Sequence, residues 1–216
     1  MPHDTVSSRA RVADYPVASL FLERWSPRAF TEEPVSRLEL LTMLEAARWA
    51  ASSYNGQPWR FVFAIRDTPP WQDFLSLLAP GNQVWAHRAA ALVFFVSRTC
   101  IRKPGSDADE PLPTHAYDTG AASASFTLQA HLLGWAAHGM VGFDRGAAAA
   151  TLAVPSDCSI NAVYAVGRAG NAELLPEHPR QREHPSGRAP LGDLAFEGRF
   201  AATERPASSR VPVRAW

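Results

Sequence analysis

The sequence predicts a single domain of the α+β class. Helical and strand-like segments are mixed along its 216 residues without the strict alternation that a doubly wound sheet requires. No linker-like stretch divides these segments into two cores. The spacing GxGxxG is also absent, which argues against a Rossmann dinucleotide site.

The clearest predicted helix begins after Ser36. Glu39 follows three residues later, as in a capping box, and apolar residues then recur on one face at Leu40, Met43 and Leu44. This pattern predicts an amphipathic helix that buries one stripe.

Three further helices are predicted. Residues 71–78 favour a short one. The small-residue segment AASASFTLQAHLLGWAA predicts a long helix that is capped by Asp118 and ended by Gly139 and Gly142, with a second, Ala-rich helix after it.

Three short apolar runs predict buried strands over 61–65, 90–96 and 160–167. Residues 102–113 combine proline with acidic residues and show no periodicity, so they predict a solvated loop. Residues 176–216 are rich in proline and charge in their first part, and they predict an extended tail with little core of its own. For its last ten residues a frayed terminus is an equal alternative.

The composition excludes several classes of partner. The chain has 21 acidic and 21 basic residues and a formal charge of zero, so no summed field attracts nucleic acid or an anionic membrane. No apolar leader or spanning segment is present, which predicts a cytoplasmic protein with no membrane partner. Cys100 and Cys158 lack metal-site spacing and are interpreted as packing residues, so no metal is predicted.

Two polar clusters flank the first predicted helix. Arg24, Ser26 and Arg28 place two guanidinium groups and a hydroxyl within five residues, which is the chemistry of phosphate or carboxylate binding. Residues 52–61, SSYNGQPWRF, place hydroxyl and amide groups where helix gives way to strand, although taken alone this run is also typical of a turn.

With both clusters considered, the chain resembles the nitroreductase family of flavin-dependent oxidoreductases. The matching segments are ERWSPRAF, AARWAASSYNGQPWRF, GNQVWAHRAAALVFF, LGWAAHGMVGFD and GRAPLGDLAF, which together extend over nearly the whole chain. The resemblance implies a mostly antiparallel central sheet flanked by helices, bound FMN, and a homodimer in which the C-terminal tail reaches the partner through Phe196, Phe200 and Trp216.

By the same resemblance, thirteen residues are candidate cofactor contacts: Arg24, Trp25, Ser26, Arg28, Ser52, Ser53, Asn55, Asn82, His138, Gly139, Met140, Gly142 and Arg188. Arg24, Ser26 and Arg188 match the residues that bind the phosphate end of FMN. Arg28 and Asn82 match the pyrimidine edge of the ring, and the segment 139–142 matches backbone that runs along the ring.

The chain departs from the family pattern at two of these places. Trp25 stands where the family has a second arginine, and Ser186 stands where a basic residue is often found, so two positive charges are missing unless other groups replace them. His138 is predicted either to contact the ring or substrate or to be a histidine at a helix end. Tyr117 and Phe126 are conjectured to line a substrate slot, whereas Trp59 and Trp85 are interpreted as packing.

The predicted activity is a ping-pong oxidoreductase reaction. NADH or NADPH delivers hydride to the flavin, leaves, and is replaced by a nitroaromatic, quinone or similar small-molecule acceptor. Such chemistry depends on stacking and a shaped pocket, so no catalytic side chain is named. Open alternatives are a flavin-destroying or dehalogenating member of the same family, a non-catalytic flavin sensor, and an interaction domain without cofactor.

Overall fold

A four-stranded antiparallel sheet organises the chain. The computed structural model describes residues 11–103 and 105–200. Its strands are β1 (Trp59–Ile65), β2 (Ala91–Arg98), β3 (Cys100–Ile101), β4 (Glu110–Pro111), β5 (Ala136–Met140) and β6 (Cys158–Gly167). The main sheet has the order β1-β2-β6-β5 with every neighbouring pair antiparallel, and β3 and β4 form a separate small hairpin.

The helices cover both faces of this sheet. They are α1 (Ser19–Glu23), α2 (Arg37–Arg48), α3 (Trp71–Ser76), α4 (Pro80–Ala86), α5 (His115–Leu132), α6 (Arg145–Thr151) and α7 (Glu177–Arg180). None of the helices within the described part of the chain is long and apolar enough to cross a membrane. The predicted α+β class with an antiparallel sheet is confirmed.

Strand β2 lies at the centre and is buried on both faces. Phe94 and its alternate neighbours pack with Trp71 and Trp85 of α3 and α4. Phe95 faces the opposite side, where it packs with Met43 of α2 and Phe126 of α5. The alternation of side chains along one strand therefore builds two apolar layers, one on each face of the sheet.

A β-bulge interrupts the pairing of β2 with β6. Phe95 pairs with Ala162 while Val96 pairs with Ile160, so Asn161 is the extra residue. The Asn161 amide donates to the buried Ser97 hydroxyl at 2.8 Å, and that hydroxyl lies 2.7 Å from Nδ1 of His115. The bulge thus satisfies a buried polar group and links the sheet to the start of α5.

The predicted helix after Ser36 is confirmed in detail. The Ser36 hydroxyl accepts from the Glu39 amide, and the Glu39 carboxylate accepts from the Ser36 amide in return. The strands predicted over 61–65, 90–96 and 160–167 are confirmed as β1, β2 and β6, and the short helices predicted near 71 and in the Ala-rich segment are α3 and α6.

The predicted ends of the long helix are wrong. Helix α5 begins three residues before Asp118, whose carboxylate is buried in its first turn and accepts hydrogen bonds from Thr114 and from the Ser53 amide. The helix ends at Leu132, and Gly134 then adopts a φ of +77°, a value that glycine tolerates. Ala136 and Ala137, the last residues of the predicted helical segment, instead begin strand β5.

The prediction for the aromatic side chains holds only in part. Trp59 and Trp85 are buried, as predicted. Phe126 is fully buried among core aromatic rings, so it does not line a substrate slot, while Tyr117 is largely exposed. In the tail, the rings of Phe196 and Phe200 lie 5.0 Å apart. The third anchor named from the sequence, Trp216, lies outside the described residues.

Candidate functional site

An arginine-rich cavity of about 310 Å³ lies between the 24–28 segment and the start of the tail. We call it the arginine cradle, and its lining residues are Arg11, Arg24, Trp25, Ser26, Arg28, His138, Arg182, His184, Ser186 and Arg188. These ten residues come from four parts of the sequence: Arg11, the 24–28 segment, His138 of β5, and residues 182–188.

The backbone between α1 and β1 turns the 24–28 segment toward this cavity. Arg24 follows the last residue of α1 and is extended, with ψ of 125°, so the helix stops there. Its guanidinium lies 3.3 Å from the Ser26 hydroxyl. Next to them Phe30 is fully buried, which fixes the segment against the sheet.

The lining of the cradle is cationic and contains no carboxylate. Five of the ten lining residues are arginines, and none is Asp or Glu. Burial lowers the pKa of the Arg24 guanidinium, and the positive charge of Arg188 lowers it further. The pKa of Arg28 is lowered by burial and then by Arg182. Like charges gathered in this way favour binding of an anion.

A carboxylate beneath the cavity holds the tail against the cradle. The side chain of Glu183 is 3% exposed, and its Oε1 accepts from the Arg28 amide at 2.7 Å and the Ala29 amide at 2.8 Å. Its Oε2 is 4.0 Å from the Arg28 guanidinium and makes no hydrogen bond within the described residues. Glu183 therefore joins two segments, and its charge partly offsets that of Arg28, whose pKa it raises, but it does not line the cavity.

His138 presents a neutral imidazole to the cradle. Its Nδ1 lies 2.8 Å from the Ser26 carbonyl oxygen and 3.1 Å from that of Pro27, so this nitrogen carries the proton and donates. Burial first, and the charge of Arg28 second, lower the pKa of His138 to about 4. Its Nε2 is consequently an acceptor at neutral pH.

Residues 52–57, which include Ser52, Ser53 and Asn55, form a turn away from the cradle that we call the strained turn. Tyr54, Asn55 and Gln57 have φ values of 52°, 52° and 44°, in the left-handed region that favours glycine. Asp118 fixes the turn by accepting from the Ser53 amide at 3.2 Å. Strain that the surroundings hold in place is typical of functional sites, so this turn is a second candidate region.

Helix α5 separates the two regions. Its first turn contacts the strained turn through Asp118, and near its other end His131 lies 3.7 Å from Glu23 of α1, next to the cradle. At 1.5 Å per residue, the thirteen positions between Asp118 and His131 span ~20 Å. Within one copy, the two regions therefore lie near opposite ends of α5.

Of the thirteen predicted residues, six line the cradle: Arg24, Trp25, Ser26, Arg28, His138 and Arg188. Seven do not: Ser52, Ser53, Asn55, Asn82, Gly139, Met140 and Gly142.

The glycines of the 139–142 segment pack closely against other side chains of the same chain. A Cβ at Gly139 would lie 2.8 Å from the Tyr164 ring, and one at Gly142 would lie 2.9 Å from the Asn82 amide, which donates to the Gly142 carbonyl. Met140 is buried in the core. His138, on the same strand, is not at a helix end, so that alternative is wrong.

Sequence reasoning missed Arg11, Arg182 and His184 as lining residues. Their positions depend on how the N-terminal arm (residues 11–18) and the tail fold back, and no local motif marks them. The departures at Trp25 and Ser186 were the available signals, because they indicated that other positive groups would be needed there.

Comparison with known proteins identifies the family. The model of the nitroreductase family matches residues 22–68, which contain both polar clusters. The structure of an oxidoreductase containing FMN is 45% identical, has a TM-score of 0.86, and is matched over 92% of this chain and 100% of its own. The chain belongs to the nitroreductase family.

Two further proteins show how widely the similarity extends. A putative nitroreductase in complex with FMN from Desulfovibrio desulfuricans is 26% identical, with a TM-score of 0.64 over 88% of this chain and 100% of its own. An NADH dehydrogenase of Thermus thermophilus is 28% identical over 196 residues, which are 79% of this nitroreductase-family chain and 90% of that protein.

Proposed function

We propose that this protein is an FMN-dependent oxidoreductase that takes hydride from NADH or NADPH and reduces a nitroaromatic, quinone or similar acceptor at the same site. The observation that carries the proposal is the arginine cradle, built around the 24–28 segment that the family model matches. The FMN of two relatives and the NADH dehydrogenase activity named for a third support the cofactor and the donor.

The donor groups of the cradle fit the phosphate of FMN. A phosphate monoester carries close to two negative charges and three acceptor oxygens. Arg24, Arg188 and the Ser26 hydroxyl offer guanidinium and hydroxyl donors around one cavity, with no carboxylate in its lining. These three residues would hold the phosphate, because guanidinium groups bind phosphate in a bidentate way.

Arg28 and His138 form the other side of the cradle. When bound, FMN would supply the hydride-accepting and hydride-donating chemistry of the reaction. Arg28 would place a fixed positive charge where a reduced ring gains negative charge, and the Nε2 of neutral His138 would accept a hydrogen bond from an N–H or O–H group. We assign no side chain to proton transfer.

We propose further that the protein acts as a homodimer whose sites each combine two copies. The strained turn and the cradle lie near opposite ends of α5, whose segment from Asp118 to His131 spans ~20 Å, and this separation favours a site that takes its cradle from one copy and its turn from the other. Large apolar side chains are exposed on the helices between them: Phe21 of α1 (58%), Leu38 of α2 (76%) and Leu132 of α5 (66%). Such side chains are suited to burial against a second copy.

Anaerobic absorbance spectroscopy tests cofactor and reaction together. We expect the protein with FMN to bleach on addition of NADH or NADPH and to regain its flavin bands with a quinone or nitroaromatic. Bound flavin that neither donor reduces would favour the flavin sensor. A protein that binds no FMN would contradict the proposal.

Two substitutions test the phosphate assignment. We expect Arg24→Ala and Arg188→Ala each to weaken FMN binding by at least about tenfold, because each removes a charge-assisted contact. Arg37→Ala is the matched control, since Arg37 is exposed at the start of α2 and does not line the cradle. Affinities equal to that of the control, measured by flavin fluorescence titration, would contradict the assignment.

A further inference from the structure

The arginines of the cradle form two groups. Arg11 and Arg188 both donate to the Ser186 carbonyl, at 3.0 Å and 3.3 Å, and Arg11 also donates to the Arg24 carbonyl, so these three arginines form the first group. Burial lowers the pKa of the Arg11 guanidinium, and the charges of Arg188 and Arg24 lower it further. Arg28 and Arg182 form the second group, next to His138. The first group contains both arginines that the family resemblance relates to phosphate, together with one that it does not.

Three hydrogen bonds hold Arg11 in this group. Its Nε donates to the Ser186 carbonyl at 3.0 Å, and its Nη1 donates to the carbonyls of Leu22 at 3.1 Å and Arg24 at 2.7 Å. Its Nη2 has no partner within the described residues. The guanidinium is therefore fixed along one edge, with two N–H groups still available to a ligand.

A purely structural role does not account for this placement. A side chain needed only to hold three carbonyls would be more stable away from other cations, whereas Arg11 lies beside two further guanidinium groups in a lining without carboxylates. An anion bound among the three arginines would remove this repulsion.

Arg11 also lies close to a position where this sequence lacks a basic residue of the family pattern. Trp25 and Ser186 replace two residues that are basic in the family pattern, and Ser186 is the residue whose carbonyl holds Arg11. The N-terminal arm thus places the positive charge of Arg11 next to Ser186, where the tail has no basic side chain.

We propose that Arg11 is a third phosphate-binding arginine of this site and supplies one of the two positive charges missing at Trp25 and Ser186. The ligand class is a phosphate monoester dianion, and within the proposed function it is the phosphate of FMN. This inference rests on the proposed function for the identity of the ligand and on the geometry of Arg11 for its role.

Comparing FMN with riboflavin isolates the phosphate contact. Arg11→Gln keeps a donor for the Ser186 carbonyl but removes the charge, and Arg37→Gln removes one exposed charge outside the cradle. We expect Arg11→Gln to weaken FMN binding by about tenfold or more and riboflavin binding by no more than about twofold. We expect Arg37→Gln to change each by less than about twofold.

Two outcomes would overturn the inference. Equal losses for FMN and riboflavin would show that Arg11 only holds the backbone, and Arg11→Lys, which keeps the charge, would then give no selective recovery of FMN binding. An FMN affinity of Arg11→Gln equal to that of Arg37→Gln would show that Arg11 does not contact the phosphate.

Failure of the proposed function can be recognised separately. If the unsubstituted protein binds neither FMN nor riboflavin, the proposal of an FMN-dependent enzyme is wrong. Inorganic phosphate is then used as the probe for the Arg11 site. Stabilisation of the unsubstituted protein by inorganic phosphate, reduced in Arg11→Gln but not in Arg37→Gln, would still support a phosphate site at Arg11. Equal stabilisation of both variants would overturn it.

Discussion

At the scale of single residues, the neutral imidazole of His138 makes the stability of the fold depend on pH. Its pKa in the folded chain is about 4, against an ordinary value of 6.5. Below pH 6.5 the unfolded chain therefore takes up a proton that the folded chain resists. The folded state loses stability as the pH falls from 6.5 to 4, and this loss stops below the lower value.

His138→Gln should remove this dependence. Glutamine can still donate to the Ser26 carbonyl but does not titrate. Between pH 7 and 4.5 the unsubstituted protein should lose about 2–3 kcal/mol more free energy of unfolding than the variant, since one pKa unit corresponds to ~1.4 kcal/mol. Urea unfolding at each pH measures the difference, and parallel pH curves for the two proteins would show that His138 does not titrate in this way.

The sequence indicated one part of the cradle through a local signature, whereas His138 and Arg188 were named from the family resemblance. Arg24, Ser26 and Arg28 lie within five residues, and their residue types alone predicted that they bind an anion. Arg11 and Arg182 reach the same cavity from segments more than 150 residues apart. Their convergence depends on tertiary structure, which a single sequence does not encode in any short pattern.

At the scale of elements, β5 shows how a strand escapes prediction. Its sequence AAHGM has no β-branched or aromatic residue, and it follows helix α5 after only three residues, so local propensity favoured continued helix. The pairing of all five residues with β6 outweighs that preference. By contrast, the helix after Ser36 was predictable because its cap and its apolar stripe agree.

Glu183 makes the tail an element of the site. Removing its carboxylate leaves the Arg28 and Ala29 amides without their acceptor, and Ala29 is fully buried. Glu183→Ala should therefore lower the free energy of unfolding by about 1–3 kcal/mol and make the tail more susceptible to protease.

Glu183→Gln is the matched control for this prediction. It keeps an oxygen acceptor in the same place, so it should retain most of the stability and the protease resistance. Guanidinium unfolding and limited proteolysis provide the two readouts. Equal resistance of the alanine variant and the unsubstituted protein would show that other contacts hold the tail.

At the scale of the whole molecule, α5 holds the two candidate regions apart within one copy. The strained turn and the cradle lie near opposite ends of this helix, and two copies related by a two-fold axis would form two equivalent sites. The fold class was predictable because helices and strands alternate irregularly. The distance between the regions was not, because it follows from the packing of α5.

Subunit complementation tests this arrangement. Arg24→Glu should abolish the cradle, and Ser53→Tyr should obstruct the strained turn, so neither variant alone should bind FMN. When the two are co-expressed, half of the dimers are mixed and each has one intact site, so about a quarter of all sites should bind FMN. Absorbance per chain after purification measures this fraction, and a colourless mixture would contradict sites shared between copies.

The left-handed backbone at Tyr54, Asn55 and Gln57 has a consequence for how the protein can be improved. Glycine relieves such strain, so selection for heat tolerance alone should favour glycine at positions 54 and 57. Selection for turnover should oppose the same changes, because a relaxed turn no longer presents its side chains in a fixed direction. We therefore expect glycine at positions 54 and 57 to raise heat tolerance and to lower turnover.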